Sequence, residues 1–288
     1  MSALCAAAEL SRASYYRSLR VPGPLPETLE LRDQIQKIAL RFPAYGYRRI
    51  TAELGRRGYA VNHKRVLRWM RQDNLLCLRR KSFLRTTDSA HSFPVFPNLA
   101  ATLTPTAVNQ LWVADITYIR LRCEFVYLAV VLDAYSRRVV GWALGRTLEA
   151  ELTLTALRMA LATRHPVSGL VHHSDRGVQY ACGAYTELLA QSGIRGSMSR
   201  TGNPYDNAYA ESFIKTLKYE EVYRNDYADL AEALAGIGEF IEKVYNRQRL
   251  HSALGYRPPL EFERSCGLRQ GSRKDGQSRK DEHEFFEA

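Results

Sequence analysis

Three carboxylates in this 288-residue chain stand where a charge is costly or well placed for chemistry. Asp115 interrupts the apolar stretch Trp112-Val113-Ala114-Asp115-Ile116-Thr117-Tyr118, which otherwise reads as a strand. A charge inside such a strand must be paired or bound to a cation. Asp175 follows the short apolar segment Gly169–His173, in His172-His173-Ser174-Asp175-Arg176-Gly177. The carboxyl ends of strands in α/β sheets border the functional crevice. Glu211 lies in a helical segment, Asn207-Ala208-Tyr209-Ala210-Glu211-Ser212-Phe213. Oxygen donors of this kind suit Mg²⁺ or Mn²⁺. Two such ions about 4 Å apart can activate an attacking oxygen and stabilise the leaving one at a phosphodiester. The ligands have to be acidic, because only that much charge holds two dications beside a phosphate. They also have to come from rigid elements that set the metal spacing. A bridging role suits Asp115, on what should be a central strand, and leaves one ion each for Asp175 and Glu211.

The residues around the trio are more ambiguous. Lys215 and Lys218 follow Glu211 by four and seven positions and share its helical face. They would lie on DNA beside a cut, but a solvated Glu–Lys face gives the same pattern. On the residues alone that plainer account is the better one, and Glu211 is one helical glutamate among several. Asp133 ends a strand before the turn Ala-Tyr-Ser and reads as structural. Asp206 is five residues before Glu211, roughly 140° round a helix, and reads as the helix N-cap. His172 and His173 have no companion at zinc spacing, so one of them, His173 for preference, is expected to be a polar neighbour of the site. Gly177 is expected to make a tight turn after Asp175. Gly202, Asn203 and Pro204 form a loop with the character of a mobile lid.

The elements that must position these groups follow from periodicity. Leu111–Ile119, Phe125–Asp133 and Arg138–Leu144 read as closely joined strands, hence antiparallel neighbours. A helix over 149–164, a strand Gly169–His173, a helix Ala184–Ser192 and a strand Ile194–Met198 follow. Helices over 206–222 and 229–247 complete the pattern. This order predicts an α/β domain over 108–264 with a mixed five-stranded sheet flanked by helices.

Charge separates this part from what precedes it. Residues 1–110 hold 18 Lys and Arg against 7 Asp and Glu, whereas 111–288 hold 23 of each, so the first part carries the whole net charge of +11. That asymmetry suggests a polyanion-binding module joined to something else. Residues 1–20 read as a short helical segment, with Ser11 capping its second helix, and Val21–Pro26 as a proline-rich linker. A helix over 27–41 turns Leu29, Leu31, Ile35 and Ile38 inward. A helix over 47–57 exposes Arg48, Arg49, Arg56 and Arg57, and Gly58 ends it. A last helix over 63–73, capped by Asn62, carries His63, Lys64, Arg65, Arg68 and Arg71 outside an apolar Val66, Trp69 and Met70. Helix, glycine turn and cation-rich helix make a helix-turn-helix plan whose second helix would enter the major groove. The expected DNA-binding domain is 27–78, followed by an irregular linker over 79–107 and a disordered tail over 265–288.

Several classes are excluded. The five cysteines are odd in number and never at C-x-x-C spacing, which suits reduced thiols and no zinc site. No run of about 18 apolar residues exists to span a membrane, and the apolar start Met1–Leu10 lacks the basic flank of a secretory signal. A cytoplasmic protein is expected.

The quoted segments together resemble transposases of bacterial insertion sequences, the second-reading-frame (OrfB) proteins of the insertion-sequence-three family. The matching stretches are W-V-A-D-I-T-Y at 112–118, L-D-A-Y-S-R-R-V-V-G-W at 132–142, H-S-D-R-G-V-Q-Y at 173–180 and N-P-Y-D-N-A-Y-A-E-S-F at 203–213. To these are added Y-N-R-Q-R-L-H-S-A-L-G-Y-R-P-P at 245–259, and G-Y-R-R-I at 46–50 with V-N-H-K-R-V at 61–66. Asp175 and Glu211 have 35 residues between them, the interval that names this family's signature. The resemblance implies an RNase-H-like core of retroviral-integrase type, with a helix-turn-helix region before it. It implies an Asp-Asp-Glu triad at Asp115, Asp175 and Glu211 holding two Mg²⁺ or Mn²⁺ ions. It further implies 3′-end cleavage followed by direct strand transfer, with Lys215 and Lys218 on the transposon end. The partners implied are DNA (terminal inverted repeats and target), further copies of the chain on that DNA, and an upstream-frame (OrfA) product. The location implied is the bacterial nucleoid. The competing readings are a catalytically silent DNA-binding regulator and an RNase-H-type nuclease acting on hybrids.

Overall fold

The computed structural model describes Cys5, Ala7 and residues 11–19, 26–76, 96–200 and 207–266. The chain forms two compact units, Met1–Leu78 and Arg79–Ala288. The expected first short helix apart from Cys5 and Ala7, which are helical, most of the proline-rich linker, residues 79–95, the Gly202–Pro204 loop and the tail from Gly267 lie outside the described residues.

The first unit is helical: α1 (Arg12–Leu19), α2 (Pro26–Arg41), α3 (Tyr47–Arg56) and α4 (His63–Gln72). Ser11 accepts the Ser14 N–H at the start of α1. Pro26 is the first residue of α2 rather than part of a linker, since its fixed φ suits a position whose N–H needs no partner. Ile35, Ile38, Ile50, Leu54, Val66, Trp69 and Met70 form the core. Leu29, expected inside, is 52% exposed. Gly58 ends α3 with φ +88°, where a side chain would be strained. Asn62 caps α4, its side-chain oxygen accepting the Lys64 N–H at 2.8 Å. Arg32 forks onto Asp73 and ties α2 to the end of α4.

The second unit is built on a five-stranded mixed sheet in the order β3-β2-β1-β4-β5. The strands are β1 (Leu111–Arg120), β2 (Phe125–Asp133), β3 (Val139–Gly145), β4 (Val171–Ser174) and β5 (Arg195–Met198). The first three pair antiparallel, and β4 and β5 add in parallel. Helices α5 (Ala150–Arg164), α6 (Val178–Ala181) and α7 (Gly183–Gln191) belong to one face, and α8 (Ala208–Glu220) and α9 (Leu230–Glu239) to the other. Along β1 the alternation sends Leu111 and Val113 toward α8 and α9, and Trp112 and Ala114 toward α5 and α7. Both faces are therefore buried, which is why the strand reads as almost continuously apolar. At Gly141 of β3 a Cβ would meet the Ala156 carbonyl oxygen at 2.1 Å, so only glycine lets α5 lie this close.

Three expectations are revised here. The helix expected over 229–247 is α-helical only to Glu239, and Phe240–Tyr245 widen into a π-helical turn. That turn places Asn246 beside the edge strand, where its side chain accepts the Val139 N–H and donates to the Val139 carbonyl, each at 3.0 Å. The bonds supply what a further strand would, protecting the edge. The expected linker is packed over its described part. Phe96 lies against Gly196, the Leu99 N–H donates to Ser197 at 2.9 Å, and Leu99 and Leu103 join the core. Residues 259–266 are helical, so the first two positions of the expected tail belong to the fold. Among the described residues no helix is long and apolar enough to cross a membrane.

Candidate active site

Asp115 sits midway along the central strand, opposite Val130 of β2. On its other side β1 pairs with β4 only through Leu111–Val113. Asp115 and Asp175 each lie two residues beyond the Val113–His173 pair, at which this parallel pairing ends. Neighbouring strands lie about 4.8 Å apart, so the two carboxylates are neighbours by topology.

The electrostatics fit that placement. Burial, then the charge of Asp175, push the Asp115 carboxyl up to about 8; Glu211 adds to this, and Lys218 opposes it. The single N–H recorded on Asp115 is that of Ile116, at 2.8 Å. Asp133 makes the contrast. It is fully buried, but accepts N–H bonds from Asn109, Tyr135 and Ser136 at 2.7–3.0 Å and so closes a turn, as its structural reading expected. Among the described residues Asp115 has no comparable set of donors. Asp175 accepts the Gly177 N–H at 3.0 Å. That bond closes a tight turn at Gly177, whose φ of −64° is ordinary; a Cβ there would press on the Asp175 oxygen at 3.0 Å.

Glu211 stands in the first turn of α8, exposed, where the helix dipole favours an acid. Its carboxyl is raised by partial burial, with Lys215 opposing. Ala210, Phe213 and Leu217 form the buried face of α8. Three contacts fasten the helix. The Asn207 side chain donates to the Ala114 carbonyl at 3.0 Å, next to Asp115. Arg249, 4% exposed, forks onto Glu220 at 2.7 and 2.8 Å. The Arg137 guanidinium lies 3.8 Å from the ring centre of Tyr209. Asn207 and Arg249 had been read only as parts of motifs, without a role. Both sit in polar runs, Asp206-Asn207 and Asn246-Arg247-Gln248-Arg249, which carry no local signal that singles them out. Asn207, not Asp206, holds the N-cap position of α8, and Asp206 lies outside the described residues.

The two histidines of β4 are both committed to hydrogen bonds within the fold. His173 is fully buried, its ring nitrogens bonded to Ser197 at 2.8 Å and Ser199 at 3.0 Å, so it braces β4 against the β5 side. His172 meets the Tyr185 hydroxyl at 3.0 Å.

Whether these residues fit divalent ions can be judged from the donor set. It is all oxygen, Asp175 and Glu211 both raise the Asp115 carboxyl, and two buried polar atoms beside it, the Tyr180 hydroxyl and Asn207 Oδ1, have no hydrogen-bond partner among the described residues. A hydrated cation answers each of these conditions. As they stand the three acids are not drawn together into a finished cage: among the described residues no trio of His, Cys, Asp and Glu is grouped tightly enough to hold a metal.

In the first unit, His63, Lys64, Arg65 and Arg68 are all exposed on α4. Arg65 also packs over Trp69 at 4.4 Å. Arg48 is exposed on α3, but Arg49 is half-buried over Tyr45, so it belongs partly to the fold and not to an open face. Arg56 and Arg57 pair with Glu53.

Family comparisons agree with this architecture. An HTH-like domain matches residues 26–83, and integrase core domains match 105–204 and 192–259. The chain is 42% identical over 264 residues to an uncharacterised 31 kDa protein of insertion element IS600 from Shigella sonnei, covering 90% of this chain and 97% of that one. It is 34% identical over 269 residues to the transposase InsF for insertion sequence IS3A of Escherichia coli K12, covering 91% and 93%. A solved HTLV-2 integrase catalytic core domain in complex with magnesium aligns at 15% identity and a TM-score of 0.44, covering 56% of this chain and 99% of that one. With helix-turn-helix and integrase-core regions in order, and relatives that match nearly end to end, the chain belongs to the insertion-sequence transposases of the IS3 family, on an RNase-H-like fold.

Proposed function

We propose that this transposase frees the 3′ end of its element by hydrolysis and joins it to target DNA by direct transesterification, at Asp115, Asp175 and Glu211. The observation that carries the reading is the register: Asp115 and Asp175 each lie two residues beyond the Val113–His173 pair of adjacent parallel strands, and Asn207 ties the Glu211 helix to the residue before Asp115. Asp115, Asp175 and Glu211 would hold two Mg²⁺ or Mn²⁺ ions. Bound there, the ions supply activation of the attacking oxygen and stabilisation of the leaving one. The chain's own groups do the rest. Lys218, whose charge draws on Asp115, and Lys215, beside Glu211, would hold the phosphates of the reacting strand. Burial pushes the Tyr180 hydroxyl well above its usual range, which disfavours a phenolate nucleophile and supports a mechanism without a covalent protein intermediate.

His63, Lys64, Arg65 and Arg68 on α4, with Arg48 and in part Arg49 on α3, would bind the terminal repeats through the major groove. Two ends must meet, so further copies of the chain are expected on DNA, and an upstream-frame product is a proposed partner. The bacterial nucleoid is the proposed location. The test is cleavage and strand transfer on duplexes ending in the element's terminal repeats, with Mg²⁺ or Mn²⁺. Glu211→Gln should lower both by about 10³-fold or more while duplex binding in EDTA is kept. Strand transfer retained in that variant would remove Glu211 from the triad. One observation, that the three acids are not grouped as they stand, favours a silent DNA-binding regulator. Binding without cleavage by the wild-type chain in Mn²⁺ would establish that reading instead.

A further inference from the structure

Beyond Asp115, β1 runs on without β4 beside it and borders a cleft of about 420 Å³ between the β1–β2 turn and the C-terminal end of α8. Tyr118, Arg120, Lys218 and Tyr223 line it. Lys218 links the cleft to the acids: its Nζ lies 4.5 Å from the centre of the Tyr118 ring, and its charge interacts with Asp115. Among the described residues neither Arg120 nor Lys218 has a carboxylate ion-pair partner, whereas Arg122 is neutralised by Asp226 at 3.0 Å. Tyr223 is 49% exposed, and Tyr219 braces it edge to face at 5.7 Å.

Unneutralised cations beside a braced, half-open aromatic ring suit a nucleotide. The cations take phosphate and the ring takes the face of a base. A base inside a duplex has both faces covered by its neighbours, so only a nucleotide out of the stack can use such a ring. The volume lies in the range of small-ligand sites, about 300–1,000 Å³. We propose that this cleft is a subsite for one unstacked nucleotide of the reacting DNA strand, next to the scissile phosphodiester, with its phosphate on Lys218 and Arg120 and its base on Tyr223. The inference rests on the function proposed above. It assigns Arg120 and Tyr223 as substrate-positioning residues outside the carboxylate site.

The test uses the full chain and terminal-repeat duplexes carrying 5-iodo-deoxyuridine at single positions on either side of the cut, irradiated in EDTA. Cross-links are mapped by mass spectrometry. The expected result is a cross-link to Tyr223 from one position within about two nucleotides of the cut, where the strand leaves the stack. Tyr223→Ala should weaken binding of a frayed end about tenfold relative to a blunt, fully paired one, and Tyr223→Phe should restore it. Arg120→Ala should lower the salt dependence of binding by about one phosphate contact. Cross-links confined to α4, with Tyr223→Ala indistinguishable from wild type on both ends, would overturn the subsite. Metal-dependent cleavage in the same preparation would then leave the proposed function standing. Absence of cleavage by the wild-type chain would overturn that function, and with it the assignment of the cleft to a reacting strand.

Discussion

Asp115 and Asp133 show why burial alone does not identify a functional acid. Both are raised by desolvation, but Asp133 spends its lone pairs on a ring of backbone N–H groups and Asp115 does not. The difference is one of partners, which composition cannot reveal. His172 offers a second residue-scale case with a measurable consequence. It is fully buried, and burial first, then His173, lower its pKa to about 3. The unfolded chain, with an ordinary histidine near 6.5, takes up a proton that the folded chain refuses. The stabilising contribution is therefore complete above pH 6.5 and is lost progressively as pH falls from there toward 3. By pH 5 the loss should be about 2 kcal/mol. Urea unfolding of wild type at pH 7.5 and pH 5 should show it, and His172→Gln should remove that part of the pH dependence. An identical pH dependence in both proteins would refute the assignment.

At the scale of elements, α8 decides whether Glu211 meets the two aspartates. Its buried stripe sets the rotation, Asn207 sets the N-terminal end, and Arg249 holds the last turn through Glu220. Asn207→Ala removes the donor to the Ala114 carbonyl, at a cost of about 1–3 kcal/mol. Cleavage should fall more than that stability loss explains, because the ligand helix is no longer tied beside Asp115. Thermal unfolding compared with turnover on the same end duplex checks this, and a variant with normal turnover would rule out the tether. The Arg249–Glu220 pair is nearly enclosed, with side-chain exposures of 5% and 13%. Arg249→Ala leaves a buried carboxylate uncompensated and should cost about 3–5 kcal/mol, whereas Arg249→Met with Glu220→Met should recover most of it. Equal destabilisation by the single and double changes, read from urea midpoints, would contradict that account. The motif at 245–259 is thus architectural as seen here: Asn246 closes the β3 edge and Arg249 fastens α8.

For the whole molecule, the separation of charge divides the labour. The excess of Lys and Arg lies before residue 111, and the integrase-core region carries no net excess. Affinity for DNA should therefore reside mainly in the helix-turn-helix unit and fall steeply with salt. Arg68→Ala, an exposed cation on α4, should reduce the slope of log affinity against log salt by about 1. An unchanged slope would exclude Arg68 from the phosphate contacts.

Much of this was legible without coordinates. The strand and helix order, the mixed five-stranded sheet, the Asn62 cap and the basic face of α4 all follow from periods of about 2 and 3.6 residues and from local capping chemistry. Asp115 and Asp175 were conspicuous because a charge in an apolar strand, or at its end, is locally anomalous. Glu211 was not, since an exposed helical glutamate is ordinary, and it was singled out only by its interval from Asp175 and the resemblance around it. Tertiary structure alone decided the register that sets Asp115 and Asp175 each two residues beyond the Val113–His173 pair, the side chain that ties α8 to β1, and the π-helical turn that delivers Asn246 to Val139. It also made His173 a brace between two serines. Local chemistry dictates elements, because their hydrogen bonds and periodicities close over a few residues. Which elements lie side by side depends on packing between residues far apart in the chain, and the partners of a buried acid exist only once that packing is complete.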